Sequence, residues 1–135
     1  MAYDYKARFI KSGEDTEIKS FLSTNAEAFV EGEIVTLSSG TITQASTTST
    51  TALGICRKAG TGVTGTAWAV EVPLSRFAEV EIYSDGALTA GTSYALNADG
   101  SVDSSDTFDH LLVTALVTTS GSGWTRVKFK EGVLI

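Results

Sequence analysis

The chain has 135 residues, a formal net charge of −6 and one cysteine, Cys56. That length lets a single domain bury a core without metal or disulfide help, and a lone cysteine excludes an internal disulfide. Its Lys and Arg are scattered, which argues against a nucleic-acid partner, and the acidic balance disfavours an anionic membrane surface. Ser and Thr supply roughly a quarter of the residues, 13 glycines punctuate short apolar stretches, and helix-favouring runs are missing, so an all-β domain is expected.

At the N-terminus Tyr3, Tyr5, Ala7 and Phe9 alternate with Asp4, Lys6 and Arg8, the period of two that gives a strand one apolar, aromatic face. Ser12 to Asp15 reads as a turn. Thr16 to Leu22 reads as a second strand, with Ile18 and Leu22 on one side and Lys19 on the other. Ser23 or Thr24 followed by Glu27 offers the cap of one helical turn, and a linker fits the same polar stretch. The expected division is therefore a strand pair and linker over residues 1–28, suited to an anchoring arm, and a β-rich body over residues 29–135.

The body says the same thing twice. Phe29 to Leu37, followed by Ser-Ser-Gly-Thr-Ile, parallels Leu88 to Leu96, followed by Asn-Ala-Asp-Gly-Ser-Val. Gly32 matches Gly91, Leu37 matches Leu96, and Gly40 matches Gly100 after one inserted residue. Each copy then reaches a small, apolar strand, Ala52 to Cys56 and Leu111 to Leu116. A glycine turn, a strand, a tight turn and a return strand make hairpin grammar.

Between and after these copies the alternation continues. The Ser/Thr tract from Ser46 to Thr51 reads as an exposed loop. Trp68, Val70 and Val72 share a face predicted to enter the core, opposite Ala67, Ala69 and Glu71, and Pro73 ends that strand. Ala78, Val80 and Ile82 are predicted inward, which leaves Phe77, Glu79, Glu81 and Tyr83 outward. Leu111 to Thr118 and Trp124 to Lys130 form a last hairpin, with Val127 and Phe129 opposite Arg126 and Lys128. Some ten or eleven short antiparallel strands with this spacing predict a small sandwich or a partly closed barrel with an internal pseudo-repeat.

Chemistry-bearing patterns are sparse. His110 is the only histidine, so one chain cannot build a multi-histidine metal site, and Asp109 beside it faces the other way on a strand. Cys56 lies in an apolar strand and reads as a small buried hydrophobe. Asp99, Asp103, Asp106 and Asp109 crowd one loop without the spacing of a known calcium motif, and solvated acidic turns are the simpler account. Glu79 and Glu81 sit on one strand face, unlike the opposed carboxylates of a glycosidase. Gly60, Gly62 and Gly65 lack the lysine of a phosphate loop. No catalytic residue, metal or cofactor is expected.

The doubled unit resembles the head-decoration, or cement, proteins of tailed bacteriophages. The residues that carry the resemblance are Glu31 to Leu37, Leu53-Gly54-Ile55, Thr89 to Leu96 and Asn97 to Val102. It implies a β-rich body, often a trimer, seated on the outer capsid surface of the virion, where it bridges major capsid proteins against the pressure of packaged DNA. Production in the host bacterial cytoplasm is implied too, and the N-terminus has no apolar run fit for a signal peptide. Tyr3, Tyr5 and Phe9 are the residues expected to meet a partner, by strand addition with aromatics filling pockets. The alternative is a carbohydrate- or receptor-binding module, using Trp68, Trp124, Phe77 or Tyr83 to stack on sugar rings.

Overall fold

The computed structural model describes residues 4–10, 16–23, 28–38, 40–45, 47–57, 60–61, 67–75 and 77–130. Among them there is no helix, and the strands are β1 (Arg8–Phe9), β2 (Thr16–Ser23), β3 (Ala28–Phe29), β4 (Ile34–Ser38), β5 (Thr41–Gln44), β6 (Gly54–Cys56), β7 (Gly60–Thr61), β8 (Ala67–Pro73), β9 (Val80–Ser84), β10 (Ser93–Leu96), β11 (Val102–Asp103), β12 (Val113–Ala115) and β13 (Gly123–Phe129). Ser23 closes β2, and the rest of the helical turn expected up to Glu27 lies outside the described residues.

The sequence repeat is a repeat of topology. In the first half β2 pairs in parallel with β5, β5 with β4, β4 with β6, β6 with β8, and β8 returns to β2, the last four pairings antiparallel. In the second half β9 pairs in parallel with β11, β11 with β10, β10 with β12, β12 with β13, and β13 returns to β9, again antiparallel after the first. Strand by strand, order and direction are the same. Each half is thus a small sheet whose ladder closes on itself, and the two pack against each other.

The matched glycines explain why the repeat shows in the sequence. Gly32, Gly91, Gly40 and Gly100 have φ of +92°, +86°, +82° and +91°. A β-carbon is strained in that region, so each turn keeps glycine.

Registers extend the correspondence to single residues. The pair Ile34↔Ile55 of the first half stands where Ser93↔Thr114 stands in the second. Across the ladders, Glu71 then corresponds to Lys128, Ile18 to Glu79, Ser20 to Glu81 and Leu22 to Tyr83. Ser23 and Ser84, both buried, hold the same place beside Ile42 and Val102.

Two cores result. Phe29, Val35, Ile42, Leu53, Cys56, Trp68 and Val70 fill the first half. The second contains Val80, Ile82, Tyr94, Leu96, Val102, Val113, Val127 and Phe129, and is joined by Ile34, Ala45, Ala52 and Ile55 from the outside of the first half. That shared apolar seam binds the halves together.

The division expected at residue 28 has no counterpart in the pairing. β2 pairs with β8 from Thr16↔Pro73 to Leu22↔Ala67, so it is a wall of the first half, and β1 pairs with β9 of the second. Alternating backbone hydrogen bonds along seven residues outweigh any tendency of this stretch to stay a separate arm.

Gly54 is packed where β6 passes β8, and a Cβ there would overlap the carbonyl oxygen of Glu71. Gly54→Ala is expected to lower stability by roughly 1–3 kcal/mol or more, whereas Gly121→Ala, with open space around it, should stay within about 0.5 kcal/mol of the parent. Urea unfolding of both variants checks the contrast.

Candidate partner-binding face

The outward residues of β9 and β13, with the segment before β1, make one continuous face. On β9, Glu81 and Tyr83 point away from the core because Val80, Ile82 and Ser84 point into it. On β13, Trp124, Arg126 and Lys128 alternate in the same way with Thr125, Val127 and Phe129. The register sets Trp124 opposite Tyr83 and Arg126 opposite Glu81, and β1 adds Arg8 on the other side of Glu81.

Side-chain contacts fix the pattern. Tyr5 stacks on Tyr83 with ring centroids 4.2 Å apart and an interplanar angle of 8°. Tyr83 meets Trp124 edge-on at 5.7 Å. Arg8 Nε donates to Glu81 Oε1 at 2.7 Å, Arg126 Nη1 donates to Glu79 Oε1 at 3.3 Å, and the Lys128 ammonium lies 5.8 Å from the Phe77 ring centroid. The hydrogen bond that Arg8 donates to Glu81, and then the Glu81 charge, raise the pKa of the exposed Arg8 guanidinium. Exposed ion pairs add little stability, so their role here is to hold long side chains in place. Trp124 keeps 54% of its surface in water and Phe77 keeps 65%, large exposures for such residues. Beside Trp124 lies a shallow hollow of about 260 Å³, lined by Glu81, Val117, Thr119, Thr125 and Arg126.

The expected partner residues fall in three different places. Tyr3 lies outside the described residues. Tyr5 belongs to this face, half-buried under its stack. Phe9, expected to be available to a partner, is instead 5% exposed and packs edge-on against Phe129 at 5.9 Å. The expected common face of Tyr5, Ala7 and Phe9 is divided: β1 covers only Arg8–Phe9, so Ala7 and Phe9 enter the core of the second half while Tyr5, before the strand, turns outward onto Tyr83. Of the four aromatics considered for sugar stacking, Trp68 is 1% exposed and lies in the first core, while Trp124, Phe77 and Tyr83 are on the face.

Other candidates resolve into structure. Cys56 is fully buried. His110 is exposed in the loop before β12, with φ of +56°, a conformation His visits more readily than most residues. Asp99, Asp103 and Asp106 accept hydrogen bonds from the backbone N–H groups of Ser101, Ser105 and Phe108. Carboxylates so used stabilise their own turns. Among the described residues no group of three His, Cys, Asp or Glu side chains converges as a metal site.

Two buried carboxylates had no signal in the sequence. Glu33 accepts from the Val30 N–H at 3.2 Å and from Gln44 Nε2 at 2.6 Å. Glu71 is 2% exposed and takes hydrogen bonds from Arg57 and Thr16. Alternation had placed Glu71 outside the first half, which is true, but the second half covers that outside. A recess of about 200 Å³ opens beside the pair, bordered by Arg8, Phe9, Glu31 and Ile55.

No protein-family model matches this chain, and no curated protein matches it with significance.

Because Arg57 reaches water and Glu71 does not, the two ends of their pair should differ. Arg57→Met leaves a buried carboxylate short of its partner and is expected to cost about 2–4 kcal/mol. Glu71→Gln leaves an arginine that water can still reach and should cost less; denaturant unfolding of each variant and the double mutant measures the difference.

Asp85 supplies a pH dependence. Burial raises its pKa, but hydrogen bonds from Ser104 and Asn97 outweigh that and leave it lowered. A carboxyl with a depressed native pKa adds stability above its unfolded value near pH 4, and loses it as pH falls through the native value. Melting temperatures of wild type and Asp85→Asn should therefore differ at pH 6 and converge as pH drops below about 4.

Proposed function

We propose that this chain is a non-enzymatic structural protein that binds the outer surface of a phage capsid and stabilises it by bridging major capsid proteins. The observation that carries the proposal is the composition of the exposed face. Tyr5, Tyr83 and Trp124 stand with Arg8 and Arg126 on a rigid ladder, and Trp, Tyr and Arg are the side chains that dominate the energetics of protein interfaces. The doubled glycine-turn unit, on which the resemblance to cement proteins rests, supports it further. Net charge of −6 suits a protein that sits outside a DNA-filled shell without touching the DNA. A homo-oligomer, most simply a trimer, places several such faces on neighbouring capsid subunits at once and multiplies weak contacts.

A carbohydrate-binding module is the second reading, favoured by one observation. Exposed Trp124 borders a hollow with Glu81, Thr119 and Arg126 on its rim, a stacking ring beside hydrogen-bonding groups.

Light scattering of the purified protein and co-sedimentation with expanded capsids from its source test the first reading. A trimer that pellets with capsids and raises their melting temperature supports it, and Trp124→Ala should then weaken binding at least tenfold with its own fold intact. A monomer that ignores capsids but is retained on a glycan surface in a Trp124-dependent way would establish the second reading instead.

A further inference from the structure

We infer that the aromatic face receives an acidic segment of the capsid subunit, with Lys128 as the seat of its carboxylate and Trp124 as the seat of an apolar side chain. The inference rests on the capsid reading and names the chemistry of the partner at that same face.

Charge in the second half is sorted by side. No Lys or Arg lies between Arg76 and Arg126 in the sequence, whereas Asp85, Asp99, Asp103, Asp106 and Asp109 all do, gathered on β11 and the turns near it. The cations that follow, Arg126 and Lys128, stand on the outward side of β13, and β1 adds Arg8 beside them. On a chain of net charge −6, this face is therefore the one that steers toward an acidic surface.

Within the face the charges are unequally spent. Arg8 is held by Glu81 at 2.7 Å and Arg126 by Glu79 at 3.3 Å. Among the described residues no carboxylate pairs with Lys128, whose ammonium lies 5.8 Å from the centroid of the exposed Phe77 ring. An aromatic ring orients an ammonium without neutralising it, so the uncompensated charge of the face sits at Lys128. Trp124, with Val117 and Thr119 around its hollow, is the apolar seat. Both residues share the outward side of β13, which sets the two seats roughly 13 Å apart. An extended segment spans them with an Asp or Glu at one end and an apolar side chain about four residues along. Between the seats Arg126 stands opposite Glu81, a balanced pair that suits a neutral stretch.

These features also separate the candidate anions. A nucleic acid repeats its charge every few ångströms, and Glu79 and Glu81 interrupt the cations at that spacing. A second copy of this chain offers Asp99, Asp103 and Asp106, but each already accepts backbone hydrogen bonds in its own turn, so its charge is partly satisfied. A carboxylate on a different protein, the capsid subunit, is the better match.

Co-sedimentation with expanded capsids from its source, repeated as NaCl rises from about 0.1 to about 1 M, reads the charge directly, because that rise shortens the screening length from roughly 10 to roughly 3 Å. Wild-type affinity should fall about tenfold or more across the range. Lys128→Glu should bind about tenfold or more below wild type at the lower salt and lose most of the salt dependence, while Lys128→Arg stays within about threefold. Melting temperatures are measured alongside. Should Lys128→Glu fail to fold, Lys128→Gln removes the charge without reversing it and should show the same flattened salt dependence. If wild type pellets equally at both salts, or the charge-removing variants bind like wild type, the acidic partner is overturned and the capsid reading stands. Light scattering without capsids tests the other occupant: self-association abolished both by salt and by Lys128→Glu assigns the seat to a second copy and overturns the inference. If wild type does not pellet at any salt, the capsid reading falls and this inference falls with it.

Discussion

Everything in this molecule is organised around the passage of one short segment between two halves. The Ala7 N–H donates to the Gly32 carbonyl at 2.7 Å, Phe9 enters the second core, and Tyr5 donates its N–H to Asp99 at 3.0 Å. Gly32 is left without a side chain because a Cβ would run into Lys6. Its counterpart Gly91 faces open space. The same glycine thus serves a turn in both halves and a close crossing in only one. Ordering residues 4–10 in this place requires both halves to be folded, so the segment makes their stabilities depend on each other.

A duplicated framework carrying two different surfaces follows from that arrangement. A few enclosed positions are kept alike, Val70 with Val127 and the serines beside Ile42 and Val102, although Trp68 stands where the second half has Thr125 and Lys19 where it has Val80. Outward positions have no such constraint. Ile18, Ser20 and Leu22 in one half become Glu79, Glu81 and Tyr83 in the other, and Ala67 and Ala69 become Trp124 and Arg126. The ladder sets where side chains stand, and the alternation leaves what they are free to diverge.

Much of this was readable from the chain. The glycine spacing revealed the repeat because positive φ tolerates few other residues, and the two-residue period put Trp68, Val70, Val80, Ile82, Val127 and Phe129 in the core correctly. Phe9 was misjudged and the burial of Glu71 went unseen for one shared reason. Period two reports which residues share a side of a strand, but only tertiary packing says whether that side is wet. Phe9 was taken for a partner contact although a core awaited it, and Glu71 was read only as lying opposite the Trp68 face, with no sign that it is 2% exposed. Ile18 and Leu22 show the converse, apolar residues on a side that stays exposed. The aromatic face was half legible: Tyr83 and Trp124 were identified as candidates for exposure, but the stack of Tyr5 on Tyr83 and the edge contact of Tyr83 with Trp124 join segments far apart in the chain, beyond the reach of any local pattern.

The seam between the halves has no second copy on the far side of the second half. A unit that buries Ile34 and Ile55 against its neighbour has the means to be copied onward into a filament, each copy covering the apolar side of the one before. Here the second unit carries Ser93 and Thr114 in those positions, their hydroxyls joined to each other at 2.8 Å. A third unit arriving there would have to strip water from two hydroxyls and gain no hydrocarbon contact in return. The outer side of the second half is thus polar where that of the first is apolar, the arrangement of a capping repeat. Two residues make the difference between an apolar flank and a polar one.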